Sequence, residues 1–380
     1  MKANIVNSQK LEQPTKSEAK HSQGVTIATM LALLLIAAPA LIAQNVGTPA
    51  FLPSPVQIVS TIPANGDVNP YGVAFVPPGF PSGTLNPGDI LVANFNNNQN
   101  LQGTGTTIVR VQANGTVSLY FTAQAGQQGL STALGILREG FTIVGNFPST
   151  DGTCSTAGNG NLLVLNSAGQ QIQTITDQTY INGPWDMTMY DFGGGKVDFF
   201  VANALSGNIT RINTTVGSGG LTVTGKTTIA SGYLHQCDPV TFVDAPTGLV
   251  YNFASDTLYV ASTVDNAVFA VSSASTRNND GGTGQIIYQD STHLHGALAM
   301  SAAPLGHLLV SNNDAINPDP NQPSEIVEFT TSGRFVKQLS MDPNQGGSFG
   351  LNVQTIGFVS QFAAVDDNQN TLNIWTLPNY

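Results

Sequence analysis

Histidines are scarce in this chain, and three of the four beyond residue 43, namely His235, His293 and His295, lie in loops that lead into apolar strand-length runs of successive sequence repeats, with His307 following. His293 and His295 are two residues apart and would share one face of an extended strand. Together with Asp238 or Asp244 they make a ligand set for a divalent metal, Zn2+ or Ca2+. An ion held by three such ligands keeps a position open for water or substrate, which is the chemistry of metal-assisted hydrolysis or elimination. The alternative is that each is a hydrogen-bonded loop histidine.

A second set is built from amides and carboxylates. Short apolar runs end in Asn94, Asn146, Asn203, Asn312 and Asp366, and Asp186 stands in a loop leading into another such run. Facing one concave surface, these groups would orient a polar small molecule, a glycan or a protein partner. Each Asn could instead cap its strand with an Asx-type hydrogen bond to the following loop. Two motifs carry less. Gly346-Gly-Ser348-Phe-Gly350 fits G-x-S-x-G, but a nucleophile elbow needs a strand before it and a helix after it, and this stretch is a Gly-rich linker leading into a strand. Asp366-Asp-Asn368-Gln-Asn370 lacks the turn Gly and the distal Glu of a calcium loop.

The elements that must position these residues repeat six times. First strands are expected at 71–76, 133–137, 185–189, 247–251, 296–300 and 351–358. Second strands ending in Val-Ala-Asn or a variant are expected at 89–94, 141–146, 199–203, 258–262, 307–311 and 362–366, each followed by an alternating third strand. Five copies add a fourth strand, such as 116–121 beyond the Asn114-Gly115 hairpin turn. The sixth copy has only three, and its missing outer strand is supplied by residues 56–61. The expected fold is therefore all-β: a six-bladed β-propeller of four-stranded antiparallel blades, the last closed by the N-terminal strand, which removes the open sheet edge. In that geometry the second-strand ends and the loops entering the first strands share the face around a central tunnel.

The segment Thr247-Gly-Leu-Val-Tyr-Asn-Phe-Ala-Ser-Asp-Thr-Leu-Tyr-Val-Ala-Ser262, continuing to Asp265-Asn266-Ala-Val-Phe, resembles an NHL repeat, and Asn182-Gly-Pro-Trp185 with residues 199–212 resembles it more loosely. Proteins similar to this include partner-binding scaffolds, gluconolactonase-type metalloenzymes and lyases with His at the tunnel mouth. The gluconolactonase-type site implies a Glu at an early inner strand, two Asn at later ones and an Asp. Here the Glu position reads Asn69-Pro70-Tyr71 and the Asn expected before Gly248-Leu249 is Thr247, which speaks against that lactonase mechanism.

Composition agrees with many short strands joined by polar turns: 40 Gly, 21 Pro and only 9% charged residues, with 41% hydrophobic. From Gln44 onward 8 basic and 21 acidic residues leave a net charge of −13, without any basic stripe, which excludes nucleic acid as the expected partner. Residues 1–43 are expected to be a signal peptide or signal anchor, with an uncharged apolar stretch over 25–43, and residues 44–380 the propeller. That places the propeller outside the cytoplasmic membrane, in contact with a membrane only if the segment is retained. Two cysteines without C-x-x-C spacing, Cys154 and Cys237, are expected to pair. The leading functional expectation is partner or polar-ligand binding at the tunnel mouth. The alternatives are a metal-dependent lyase or hydrolase and a structural surface protein.

Overall fold

Why the second strand of each repeat is apolar at nearly every position becomes clear once the sheets are stacked. In the computed structural model, which describes residues 50–52, 57–81 and 83–378, six antiparallel four-stranded sheets carry the chain in sequence order. Their inner strands are Val68–Phe75, Leu130–Leu137, Pro184–Gly193, Pro246–Asn252, Ala297–Ala303 and Ser348–Ile356. The second strands Ile90–Asn96, Phe141–Asn146 and His307–Asn312 are buried at every residue, because a neighbouring blade covers each of their two faces. Each large aliphatic side chain buried there contributes roughly 1.5–3 kcal/mol. Outer strands such as Gln171–Ile175 alternate between exposed and half-buried positions instead.

Ring closure is as the repeat count requires. Gln57–Ser60 pairs antiparallel with Thr371–Ile374, completing the sheet formed by the last three strands. Phe51 and Leu52, both buried, extend the closure by giving their backbone N–H groups to the Glu328 carboxylate. The expected export segment, 1–43, lies outside the described residues. Among those residues no helix is long and apolar enough to cross a membrane.

Blades meet closely at the axis. A Cβ on Gly350 would fall 1.5 Å from the Tyr71 carbonyl oxygen, and one on Gly248 would fall 2.3 Å from that of Leu298, so only glycine lets these inner strands approach. All six inner strands also break register near their starts, between Pro70 and Val73, Leu130 and Leu134, Pro184 and Asp186, Pro246 and Gly248, Ala297 and Met300, and Ser348 and Leu351. Such bulges re-aim side chains. Here they fall at the level where the tunnel is filled.

Candidate functional site

The end of the tunnel where the inner strands start is stoppered. Tyr71 is stacked between Phe95 and Phe349, with both ring centroids at 4.7 Å; Trp185 and Phe242 pack edge-on or tilted against this stack, and Phe147 packs edge-on against those two. Tyr71, Phe95, Phe147, Trp185, Phe242 and Phe349 are all buried. Phe242 comes from a two-stranded hairpin, Gln236–Asp238 with Phe242–Asp244, and adopts φ 72°, a left-handed conformation that a bulky residue rarely takes. The disulfide between Cys154 and Cys237, Cα–Cα 5.5 Å, ties this hairpin to the turn Cys154–Thr156 of blade two. The expected pairing is therefore present, and it latches the plug.

Below the plug the inner strands enclose a cavity of about 230 Å³, lined by residues from all six blades. Burial decreases from Asp186 to Thr188 and from Leu351 to Gln354, so the cavity opens toward the strand ends, on the face opposite the expected one. Among its lining residues only Asp186 carries a carboxyl and none is a histidine, while Thr132, Thr188, Ser301 and Asn352 add neutral polar groups. Asp186 Oδ2 accepts the Leu249 N–H of the adjacent blade at 2.7 Å, and Met187 N–H also donates to the carboxylate. Burial nevertheless dominates and pushes the carboxyl up to about 7. A group poised there offers both a hydrogen-bond donor and an acceptor near neutral pH.

The amides predicted from sequence fall elsewhere. Asn94, Asn146, Asn203 and Asn312 are fully buried. Asn94 Nδ2 donates to the Thr61 carbonyl and Thr107 Oγ1. Asn146 Oδ1 accepts Asn161 N–H, and Asn203 Oδ1 accepts Asn182 N–H while its Nδ2 donates to the Tyr180 carbonyl. Asn312 Oδ1 accepts His295 N–H and its Nδ2 donates to the His293 carbonyl. Each fastens the end of a second strand to a neighbouring loop or strand. Asp366 ends the corresponding strand of blade six, where it accepts Gln369 N–H and burial raises it to about 6. None of these five lines the cavity; Asp186 does.

The histidines occupy separate surroundings. His235 is exposed beside Tyr233, and His293 bonds Asp290 and stacks on Phe335 at 3.8 Å between centroids. Neither His235 nor His293 belongs to a cluster of three metal-binding side chains among the described residues, whereas His295 meets Asp314 and Glu325. Among the described residues that line the tunnel, the gluconolactonase-type ligand set has no counterpart. Thr247, at one expected Asn position, is buried and holds the Thr263 hydroxyl at 2.9 Å, and Asp186 has no second charged ligand beside it. Sequence reasoning missed the plug, the cavity groups Ser301 and Asn352, and the partners of His295. The one signal available was Asn313-Asp314 directly after the second strand of blade five.

No protein-family model matches the sequence, and no curated protein matches it either. Solved structures match the fold. A gluconolactonase from Xanthomonas campestris superposes with a TM-score of 0.51 at 12% identity, over 86% of this chain and 90% of that one. A DUF4623 family protein from Bacteroides eggerthii gives 0.54 at 10% identity, over 88% of this chain and 78% of that one. What is shared with both is the β-propeller fold, here with six blades.

Proposed function

We propose that this propeller is an extracytoplasmic binding protein that takes a small, uncharged, hydroxyl-bearing ligand into its central cavity, with Asp186 as the anchor. The observation that carries the reading is the single carboxyl at the enclosed end of a cavity otherwise lined by neutral groups. Half-protonated near pH 7, Asp186 can accept from one ligand hydroxyl or donate to another, while ionised it repels anionic ligands. The volume is below the roughly 300–1,000 Å³ of drug-sized sites, which favours a monosaccharide, polyol or sugar lactone. The disulfide supports an oxidising compartment.

Calorimetric titration of a panel of monosaccharides, polyols and aldonolactones tests this. One class should bind, and Asp186→Leu should weaken it roughly 10- to 100-fold, the equivalent of a charge-assisted hydrogen bond of about 1.5–3 kcal/mol. No binding across the panel, or undiminished binding by the variant, would refute the reading. A protein partner is the second reading, supported by Phe192, Phe253, Leu305 and Phe358, which stand exposed at the inner hairpin turns on the open face, Phe358 at 81%. Chemical crosslinking in envelope extracts that captures one partner, lost when all four are changed to Ser, would favour it.

A further inference from the structure

Three side chains from three segments of blade five meet outside the central cavity. His295 precedes the inner strand, Asp314 follows the second strand, and Glu325 opens the third, Glu325–Thr330. One ligand atom from each lies within 4.8 Å of those of the other two. All three are buried, with 1%, 8% and 1% of their surface exposed.

Each has one polar atom engaged and one left over. His295 Nε2 lies 3.1 Å from the Thr292 carbonyl, which can only accept, so Nε2 carries the hydrogen and Nδ1 keeps a lone pair. That Nδ1 is buried without a partner. Asp314 Oδ2 accepts Ser324 N–H at 3.0 Å and Gly346 N–H at 2.9 Å, while Oδ1 has no partner. Glu325 Oε2 accepts from Asn312 Nδ2 at 3.2 Å, while Oε1 has none. One orphaned buried polar atom costs about 1–3 kcal/mol, and more when charged. Three such atoms on neighbouring side chains, two of them from carboxyls, would all be compensated by one cation placed between them.

We propose that His295, Asp314 and Glu325 bind a divalent cation of the zinc class. An imidazole nitrogen with two carboxylate oxygens suits Zn2+, whereas Ca2+ takes six to eight oxygens. Two carboxylates balance the charge of the ion. Ligand atoms around tetrahedral Zn2+ at about 2.0–2.1 Å lie roughly 3.3 Å apart, a spacing compatible with the 4.8 Å that bounds this cluster. The surrounding shell is already in place. The Thr292 carbonyl fixes the histidine tautomer, as ligating histidines require, and Asn312 holds both His295 N–H and Glu325 Oε2. Asn312, one of the amides picked out by sequence, is thus a positioning residue. Through Gly346 the ion would also fasten the connection to blade six.

The test uses the purified full-length protein, stripped with chelator and titrated with Zn2+ or Ca2+ while binding and melting temperature are followed. One Zn2+ per chain should bind and raise the melting temperature. The near-isosteric Glu325→Gln and His295→Gln should weaken Zn2+ more than about 100-fold, and Asn312→Ala about 10- to 100-fold. His293→Ala should leave it unchanged. Circular dichroism of the metal-free variants separates loss of the site from loss of the fold. Absence of 1:1 Zn2+ binding by the wild-type protein, equal binding by folded His295→Gln, or stabilisation by Ca2+ but not Zn2+ would overturn the assignment.

Discussion

Asp186→Asn should make stability less dependent on pH between about pH 4 and pH 8. Asn keeps the oxygen that accepts from Leu249 N–H at 2.7 Å and removes only the ionisable proton. Burial raises the carboxyl from 3.8 to about 7, so the folded protein holds the proton more tightly than the unfolded chain does. The resulting stabilisation is full below about pH 4 and is lost as the pH rises through about 7. At 1.36 kcal/mol per tenfold change in proton affinity, the distance amounts to about 4 kcal/mol. Asp366 and Asp367, raised by burial to about 6 and about 7, tilt both proteins in the same sense and cancel in the comparison. Urea unfolding of both proteins between about pH 4 and pH 8 should show the variant gaining on the wild type by several kcal/mol. Parallel profiles would show that Asp186 titrates normally, and the closed, water-poor cavity floor would be wrong.

Other perturbations probe the frame around the cavity. Reducing the disulfide, or Cys237→Ser, should lower stability by about 4–5 kcal/mol on the chain-entropy model for an 83-residue separation, seen as a lower urea midpoint that in the variant no longer responds to reductant. Phe242→Ala empties the centre of the aromatic plug and should cost about 3–5 kcal/mol by urea unfolding. Glu328→Ala strands the buried His307, whose Nδ1 lies 2.5 Å from Glu328 Oε1, and removes the carboxylate that accepts from the N–H groups of Phe51 and Leu52; a loss of about 3–5 kcal/mol is expected in the same assay. Deleting residues 44–62 removes the closing strand Gln57–Ser60 and should yield aggregates or dimers in size-exclusion chromatography.

The blades were legible because their signal is local: apolar runs of strand length, Asn-Gly or Gly-rich turns, and the same order six times. The closing strand followed from a strand missing in the sixth copy. The plug was not legible, since Phe242 sits in a segment with no periodicity and becomes a core residue only because the disulfide and five other aromatics receive it. The repeated Asn residues were visible as a pattern, but an amide donates and accepts equally well to a ligand or to a neighbouring loop, and only the fold shows Asn94 and Asn203 spent on backbone groups. Similarly, spacing grouped His293 with His295. The two rings part because Phe335 and Asp290 capture the first, while Asp314 and Glu325, 19 and 30 residues downstream of the second, converge on His295.

The most direct test of the account is a crystal structure of the protein with the tightest ligand from the panel bound. Density for the ligand is predicted inside the tunnel, against Asp186 and reached from the Ser301 and Asn352 side. Ligand bound instead on the stoppered face, against Asn94, Asn146, Asn203 or Asn312, would contradict it.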